Sequence, residues 1–590
     1  MQKRLAGWQG THLSLAGRRV LVQAVTSSIP AYAMQSILLP KATCDAIDRL
    51  NRDFLWSSAA GVQKPHLVSW DVVCTEKRHG GLGLRSAWDN NQAFIAKLGW
   101  RLINGDNALW CKAMQSKYLR GTKLLEAKHT PRSSFVWRGI LQCCSVLQQG
   151  VRWRIGSGER VRFWHDAWVG HAPLISSMEE PPDLSSLLVA DVIKSDREWD
   201  LDILHNLVPE ETVEIIRAIP LSRSTHLEDN IFWSGTTDGS FTVKSAYQIT
   251  QAPRIPAQLD GSWHWIWKLQ CAERIRIFVW LLVRGRLFTN SVRFARHMAS
   301  SPTCPRCESS DETVIHLLRD CYYANMVWGL LGFASSEFFA LDQSLWLRKF
   351  STSSPLHDPT SVSGTALFLS AIWLLWKDRN ALVFRNHRTK PHELCSLVFQ
   401  QAKYTELAMH PLFSVRSRQP RWVSWTPPVE GWHKLNTDGS CFLATNSASA
   451  GGLIRDSAGN WVSGFIVNVG HASIFVAELW GLREGLRLCK SLGIPRVAAE
   501  MDSQMAVRFI NEDREVDNLS AAILLDIKSL LLEFEACTVH HILREGNATA
   551  DHLASLGHSS QPGLSILNSP PCGLLPILLG DQLGACFLRS

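Results

Sequence analysis

Four acidic residues in the last quarter of the chain each lie at a predicted strand end or helix start. They are Asp438 in LNTDGS, Glu478 in VAELWGL, Asp502 in AEMDSQM and Asp551 in NATADHLA. Carboxylates brought to one point repel one another, and their pKa values rise unless cations offset the repulsion. If the chain folds so that these acids converge, the pattern predicts a metal site. The alternative is four ordinary solvated carboxylates.

The segments around these acids are typical of alternating strands and helices. Residues 432–438 alternate apolar and polar side chains, and AGGLIRD and WVSGFIV flank the turn composition of residues 457–460. Apolar residues at helical spacing predict a helix over 473–492, with Glu478 in its first turn. The remaining predictions are a buried strand ending at Asp502, a helix from Ser503, a helix over 519–534, a fifth strand in CTVHHILRE and a last helix from Ala550.

In this order, the segments resemble the ribonuclease H-like domain of plant non-LTR retroelement proteins. The resemblance covers about residues 429–560 and rests on the phrases NTDGS, AGGLIRDSAGNWV, AELWGL and REGNATADHLA. It implies an α/β ribonuclease H-like fold, with a five-stranded mixed sheet and flanking helices. The family's catalytic acids carry over to Asp438, Glu478, Asp502 and Asp551.

The resemblance also implies a cofactor and a substrate. The four acids would hold two Mg²⁺ (or Mn²⁺) ions, with Asp438 bridging both. One ion would activate a water and the other would stabilise the leaving 3′-oxygen. The implied substrate is the RNA strand of an RNA/DNA hybrid, recognised through its backbone and 2′-hydroxyls.

One departure from the family pattern concerns the loop before the last acid. Many ribonucleases H carry a His there that is thought to help product release, whereas residues 544–550 hold Arg, Glu and Asn but no His. His540 and His541 lie earlier, in the predicted fifth strand. We expect both to be structural, one facing the sheet and one outward. Metal binding should survive this departure, but turnover should be lower.

A second metal site is predicted upstream, where Cys304, Cys307, His316 and Cys321 have the spacing C-x2-C-x8-H-x4-C. The Cys-x-x-Cys pair places two thiolates on one side of a metal, and HLLRDC can close a tetrahedral site. Three Cys and one His leave no open position, which favours one structural Zn²⁺ over catalytic zinc. A reduced cysteine cluster or a disulfide is the alternative. The segment resembles the zinc-binding domain that follows reverse transcriptase in plant retroelements, over about residues 240–329.

The N-terminal segment, residues 7–56, reads as amphipathic helices broken at Pro30 and Pro40. It resembles the thumb-like segment after the polymerase core of plant non-LTR reverse transcriptases. The chain holds no Tyr/Phe-x-Asp-Asp phrase, and residues 1–60 hold no paired-carboxylate strand. We therefore expect the polymerase core to be absent. The thumb-like helices would then lack their normal packing partner and expose apolar surface.

A chain of 590 residues is long enough for three or four domains. Two β-hairpins are predicted in the connecting region, in VRWRIGSGERVRFW and DNIFWSGTTDGSFTV. The predicted boundaries are 1–120 for the thumb-like helices, 121–239 for the connecting region, 240–329 for the zinc-binding domain, 330–428 for a helical connection and linker, 429–560 for the ribonuclease H-like domain and 561–590 for a tail without periodicity.

Composition adds limits on partners and location. The net charge of +8 permits contact with nucleic acid without requiring it. Most of the 25 Trp residues fall in apolar runs, which indicates core packing. TALFLSAIWLLW is too short to span a bilayer and predicts a buried helix.

With no predicted secretory signal or membrane span, we expect an intracellular protein, in the nucleus or cytoplasm, whose partner is an RNA/DNA hybrid or RNA. Two functions fit: a Mg²⁺-dependent hybrid ribonuclease, or a catalytically silent nucleic-acid-binding relic or scaffold.

Overall fold

The computed structural model describes residues 13–56, 65–170, 172–177, 186–222, 227–254, 263–333, 335–353, 362–409, 421–442, 447–512 and 520–589. The chain divides into two compact units. The first combines residues 1–98, 129–140 and 250–417, and the second combines 99–128, 141–249 and 418–590. Residues 410–420, the first part of the predicted linker, lie outside the described residues, as do residues 1–12 of the thumb-like segment.

Helices dominate the N-terminal two thirds of the chain, and strands are concentrated in the C-terminal third. The α-helices are α1 (Leu15–Leu21), α2 (Ala31–Met34), α3 (Lys41–Trp56), α4 (Trp70–Cys74), α5 (Ala87–Ile103), α6 (Leu109–Met114), α7 (Phe135–Gln142), α8 (Cys144–Gly150), α9 (Leu201–Leu207), α10 (Glu210–Arg217), α11 (Val243–Gln251), α12 (His264–Lys268), α13 (Glu273–Val283), α14 (Asn290–Ala295), α15 (Tyr322–Leu330), α16 (Ser336–Ala340), α17 (Gln343–Thr352), α18 (Gly364–Arg385), α19 (Pro391–Met409), α20 (Ile474–Ser491), α21 (Gln504–Asn511), α22 (Ala521–Leu531), α23 (Ala548–Gly557) and α24 (Leu575–Gln582). The strands are β1 (Val151–Arg154), β2 (Asn230–Trp233), β3 (Arg421–Val423), β4 (His433–Phe442), β5 (Ser447–Arg455), β6 (Trp461–His471), β7 (Arg496–Met501), β8 (Ala536–His541), β9 (Gly563–Leu567) and β10 (Phe587–Arg589).

The second unit contains a mixed sheet in the order β8-β7-β4-β5-β6-β9. Strand β4 pairs with β7 in parallel and with β5 antiparallel, and β7 pairs with β8 in parallel. The five predicted strands are therefore confirmed, with the helices α20 to α23 between them in the predicted order. A sixth strand, β9, comes from the segment predicted as a tail and pairs antiparallel with β6.

Close approach of helices to the central strands explains two glycines in the predicted strands. A Cβ at Gly439 would lie 2.5 Å from the backbone nitrogen of Glu478 in α20. A Cβ at Gly451 would lie 2.4 Å from the backbone nitrogen of Ala554 in α23. Only glycine allows the backbones to approach this closely. The helices that carry two of the predicted acids are thus packed directly on the sheet.

The connecting region does not form the two predicted hairpins. Instead β1 and β2, one from each predicted hairpin, pair antiparallel with each other, from Val151 opposite Trp233 to Arg154 opposite Asn230. The reason is Asp229, whose carboxylate accepts hydrogen bonds from the backbone N–H groups of Gly156 at 2.7 Å and Gly158 at 2.8 Å. These long-range hydrogen bonds hold the Gly-Ser-Gly loop against the residue before β2. The loop therefore does not form the hairpin turn that would pair β1 with the segment after the loop.

The segment predicted as a structureless tail is ordered. Besides β9, it forms α24 and β10, and β10 pairs antiparallel with β3 from the predicted linker. Asp581 of α24 forms an ion pair with buried Arg455 of β5 at 2.7 Å. Leu574 and Leu578 bury their side chains beside Leu553 of α23. The C-terminal residues therefore pack as part of the mixed sheet and its helices.

In the first unit, helices from both ends of the unit share one apolar core. Val22, Leu55 and Trp56 from the N-terminal segment belong to the same buried cluster as Ile277 of α13 and Trp328 of α15. The thumb-like helices thus have a packing partner within this unit, contrary to expectation, although single side chains such as Tyr32 are 89 % exposed.

The apolar run and the tryptophans behave as predicted. TALFLSAIWLLW lies inside the largely buried helix α18, and in the part of the chain that the structure describes no helix is long and apolar enough to cross a membrane. In the described part of the chain, six tryptophans are fully buried: Trp137, Trp168, Trp233, Trp280, Trp328 and Trp346.

Candidate metal centres

The pairing of β4 with β7 brings Asp438 and Asp502 together. In this parallel ladder the last pair is Thr437 opposite Met501. The next residue on each strand is an aspartate, Asp438 on β4 and Asp502 just after β7. Asp438 does not end its strand as predicted, because β4 continues to Phe442 along β5. The acid instead lies where the ladder to β7 stops, which places it beside Asp502.

Helix α20 supplies the third acid. Ser473 caps the helix by accepting a hydrogen bond from the Val476 N–H, and Glu478 is the fifth helical residue, one turn deeper than predicted. The contact of α20 with Gly439 brings Glu478 to the end of the β4–β7 ladder. Carboxylate oxygens of Asp438, Glu478 and Asp502 all lie within 4.8 Å of one another.

Burial and mutual repulsion make this cluster unfavourable without a cation. Burial, followed by the charge of Asp502, raises the pKa of Asp438 to about 9. Burial and the charges of Asp438 and Asp502 raise the pKa of Glu478 well above its usual range. Among the described residues, Oε2 of Glu478 is buried without a hydrogen-bond partner. A buried carboxylate oxygen without a partner, facing two further carboxylates, fits the hard oxygen ligands that Mg²⁺ and Mn²⁺ prefer.

The fourth predicted acid, Asp551, lies in the first turn of α23 but outside the group of three. Its charge still contributes to the raised pKa of Asp438. Asp551 accepts a hydrogen bond from a terminal guanidinium nitrogen of Arg544 at 2.7 Å. The two side chains are exposed, at 73 % for Arg544 and 38 % for Asp551. The structure therefore brings three of the four acids together and pairs the fourth with an arginine of the preceding loop.

A buried polar network positions α23 against β4. Asn547, which precedes the helix, donates a hydrogen bond to the carbonyl of Thr437 at 2.9 Å. Asn436 also bonds Asn547, and it accepts a hydrogen bond from Arg455 at 2.8 Å. Sequence reasoning missed these residues, although Asn547 is part of the phrase REGNATADHLA and Asn436 begins NTDGS. Polar side chains inside otherwise apolar strand and helix patterns were the available signal.

The histidine prediction needs correction. His540 and His541 are both exposed, because β8 is the edge strand of the sheet. The ring nitrogen Nε2 of His541 lies 3.1 Å from the backbone carbonyl oxygen of Asp502. His541 is therefore not a core residue but a solvent-accessible side chain beside one of the clustered acids.

The four predicted zinc ligands of the first unit converge. Ligand atoms of Cys304, Cys307, His316 and Cys321 all lie within 4.8 Å of one another. The two sulfur atoms of Cys304 and Cys321 are 4.0 Å apart, and Sγ of Cys307 is 3.4 Å from Nε2 of His316. A tetrahedral site with Zn–S bonds of ~2.3 Å separates its sulfur atoms by about 3.8 Å. The donor set and its spacing fit zinc.

Local backbone geometry explains how these ligands meet. The Cys304 N–H donates to the carbonyl of Ser310, and the Glu308 N–H donates to the carbonyl of Cys304. Glu308 has a positive φ of 55°, which closes the turn of the Cys-x-x-Cys loop. His316 begins a single π-helical turn that ends at Asp320, just before Cys321. The hydrogen bond between the two thiols lowers the pKa of Cys321 and raises the pKa of Cys304.

Helix α18 supports the zinc loop through two buried ion pairs. Arg379 donates to the buried carboxylate of Glu312 through Nε at 2.8 Å, and the side chains are only 1 % and 0 % exposed. The neighbouring Asp378 forms an ion pair with Arg306, which lies inside the Cys-x-x-Cys loop. The guanidinium of Arg306 also stacks on Tyr323, 3.8 Å from the ring centre. These contacts give a structural reason for the charged residues that follow the apolar run of α18.

Comparison with known proteins assigns the two regions that contain these residues to known families. Residues 436–557 match the family described as reverse transcriptase-like, and residues 241–328 match the family described as zinc-binding in reverse transcriptase. An Arabidopsis thaliana protein provisionally named a ribonuclease H protein is 32 % identical over 603 residues, covering 99 % of this chain and 96 % of that protein. An uncharacterised mitochondrial protein of the same plant is 32 % identical over 143 residues, or 24 % of this chain and 93 % of that protein.

Among solved structures, the ribonuclease H1 of the archaeon Halobacterium salinarum is similar to this chain at 22 % identity, covering 22 % of this chain and 98 % of that one with a TM-score of 0.21. The family matches and the Arabidopsis thaliana relative that covers 99 % of this chain identify the C-terminal sheet and its helices as a ribonuclease H-like domain, and the upstream cysteine and histidine residues lie in a reverse transcriptase zinc-binding domain.

Proposed function

This chain belongs to the family of plant retroelement-derived proteins that join a reverse transcriptase zinc-binding domain to a ribonuclease H-like domain, and we propose on this basis that it cleaves the RNA strand of RNA/DNA hybrids. The observation that carries the proposal is the convergence of Asp438, Glu478 and Asp502, whose carboxylate oxygens lie within 4.8 Å of one another. The high pKa values of Asp438 and Glu478 support it, because a bound cation offsets the cost of this clustering.

Asp438, Glu478 and Asp502 would hold divalent cations, and Asp551 would join them once it leaves Arg544. Bound Mg²⁺ or Mn²⁺ would supply Lewis acidity for activating a water and for stabilising the leaving oxygen. The fold of the chain holds the acidic side chains in position. Asp438 is held by the central strand, Glu478 by a helix pressed on Gly439, and Asp551 by a helix anchored through Asn547.

The zinc-binding domain has a structural role in this proposal. Three thiolates and one imidazole would fill the coordination sphere of Zn²⁺ and leave no position for substrate. The bound metal would stabilise the loop around Cys304 and Cys307, because that loop contributes few apolar side chains to the core.

One observation favours the second candidate, a binding protein without activity. The Arg544–Asp551 ion pair engages the fourth acid with a side chain of the chain itself, and the loop before Asp551 lacks a His. In that case the acids would persist as part of a fold that binds nucleic acid without cutting it.

The two candidates are separated by incubating the full chain with a hybrid whose RNA strand carries a 5′ label. We expect cleavage of the RNA strand alone, dependent on Mg²⁺ or Mn²⁺, and its loss by at least about a hundredfold in Asp438→Asn, because that change removes a proposed metal ligand. Glu545→Gln, in the loop before Asp551 but outside the proposed ligand set, is the matched control. Cleavage that is absent, or equal in the wild type and Asp438→Asn, would refute the enzymatic proposal.

A further inference from the structure

The first unit contains a charged cavity of about 660 Å³ that neither proposed metal site uses. Its walls come from α3, from residues 66–71 at the start of α4, and from the start of α5. Arg254, which follows α11, and Arg286 and Arg296, which lie before and after α14, complete the walls. Six basic side chains line it: Lys41, Arg49, Arg52, Arg254, Arg286 and Arg296. Basic side chains from segments far apart in sequence thus meet around one space.

Some of these charges are already neutralised. Lys41 lies 3.7 Å from Asp45, and Arg254 lies 2.7 Å from the buried carboxylate of Asp89. Asp48, a half-buried acid of the same cavity, accepts a hydrogen bond from the backbone N–H of Ala87 at the start of α5. Asp71 also lines the cavity, but among the described residues it forms no ion pair with the remaining arginines.

Four arginines remain. Among the described residues, Arg49, Arg52, Arg286 and Arg296 have no ion-pair partner. The Nε of Arg52 is buried and has no hydrogen-bond acceptor in the described part of the chain. Leaving a buried guanidinium nitrogen without an acceptor costs free energy, and guanidinium groups match the geometry of phosphate oxygens.

We propose that this cavity binds the phosphates of a nucleic-acid strand. A single phosphate ion would occupy one guanidinium fork, whereas four unpaired arginines around a space of about 660 Å³ suit successive phosphates of a backbone. The cavity belongs to the first unit and the carboxylate cluster to the second, and their chemistry differs. The cavity needs no divalent cation, and it would add affinity without reading base sequence.

The test measures binding of a fluorescently labelled single-stranded RNA of about 20 nucleotides to the full chain in Mg²⁺-free buffer, over a series of salt concentrations. The variant Arg49→Gln/Arg52→Gln/Arg286→Gln removes three of the four free charges. Each lost phosphate contact to a single strand lowers the slope of log affinity against log salt by ~0.7, so we expect a slope smaller by about 2 and affinity reduced at least tenfold at low salt.

The matched control is Arg348→Gln/Arg385→Gln/Arg388→Gln, three exposed arginines of the same unit outside the cavity. It makes the same change in net charge and should alter the slope little. The variant Arg49→Lys/Arg52→Lys/Arg286→Lys keeps the charges and should restore most of the salt slope, because the slope counts neutralised phosphates. A thermal unfolding midpoint of the glutamine variant equal to that of the wild type excludes loss of folding as the cause.

Three results would overturn the proposal: equal slopes for the cavity variant and the control, failure of the lysine variant to recover the salt slope, or displacement of the RNA by millimolar inorganic phosphate at constant ionic strength. Asp438→Asn is expected to bind the RNA as the wild type does. Loss of cleavage without loss of this binding would therefore separate a failure of the proposed nuclease site from a failure of the cavity.

Discussion

Individual carboxylates determine how the ribonuclease H-like domain responds to pH and to cations. Asp438 is 4 % exposed and Glu478 is 5 % exposed, and both have pKa values raised by burial and by neighbouring acids. An acid whose pKa is higher in the folded than in the unfolded state favours folding at low pH. That contribution is lost as pH rises through the folded-state value, which is about 9 for Asp438.

The metal-free protein should therefore lose stability between about pH 4 and pH 9 in a way that Mg²⁺ reverses. In Asp438→Asn, which removes one charge at similar volume, we expect the unfolding free energy at pH 8 to rise by about 1 kcal/mol or more without metal. Denaturant unfolding at pH 5 and pH 8, with and without Mg²⁺, measures this. A variant less stable than wild type under metal-free conditions at pH 8 would contradict the account.

Arg544 should compete with divalent cations for Asp551, because the two side chains are paired at 2.7 Å. The pair is exposed, so its contribution is at most about 1 kcal/mol. We expect Arg544→Gln to bind Mg²⁺ up to about fivefold more tightly in isothermal calorimetry. Arg508→Gln, which removes an exposed arginine paired with Glu512, is the control. Equal affinity in wild type and Arg544→Gln would show that the arginine does not compete.

At the scale of elements, strand register explains why the acids converge. The parallel ladder between β4 and β7 ends one residue before Asp438 and Asp502, and α20 reaches the same point because Gly439 has no side chain. Helix α18 plays a comparable role in the other unit. Its Asp378 and Arg379 form ion pairs with Arg306 and Glu312, respectively. Both partners lie between zinc ligands along the chain.

Arg379→Met should destabilise the zinc loop strongly, because it leaves the buried Glu312 without its partner. Removing one member of a buried ion pair typically costs ~3–5 kcal/mol. The double variant Arg379→Met/Glu312→Gln removes both charges and should recover a large part of the loss. Zinc content after dialysis and thermal unfolding would measure both effects. A double variant that is no better than the single one would argue against a pairing role.

Local sequence patterns predicted most elements of the ribonuclease H-like domain, because alternation, helical spacing and turn residues are local signals. They failed where distant residues decide the structure. Asp229 anchors the Gly156 loop and thereby pairs β1 with β2, and Arg455 reaches Asp581 in a segment predicted as a tail. For the site, the family resemblance named four acids, three of which converge, but nothing in the sequence predicted that Arg544 pairs with Asp551. Side-chain pairing on an exposed loop leaves no periodic signal.

For the whole molecule, each of the two units has its own apolar core. One core joins residues from Ala16 to Ala402, and another joins Leu435 to Val539 with Ala218. Metal dependence should follow the same division, since the zinc ligands and the carboxylate cluster lie in different units.

Removal of zinc by a chelator, or the substitution Cys307→Ser, should therefore act locally. We expect amide hydrogen exchange to increase at least tenfold in residues 303–321 and in the helix α15 that follows them, because the loop loses its metal crosslink. Strands β4 and β5 should keep their protection. Equal zinc content in wild type and Cys307→Ser would contradict the ligand set, and loss of protection across both units would contradict local action.

The central claim is that the clustered carboxylates form a divalent-cation site. A crystal of the full chain grown with Mn²⁺ and measured for anomalous scattering tests it most directly. We predict an anomalous peak within about 2.2 Å of oxygens from Asp438, Glu478 and Asp502, and its loss in Asp438→Asn. Absence of a peak at millimolar Mn²⁺, or a peak that persists unchanged in Asp438→Asn, would contradict the assignment of these residues as metal ligands.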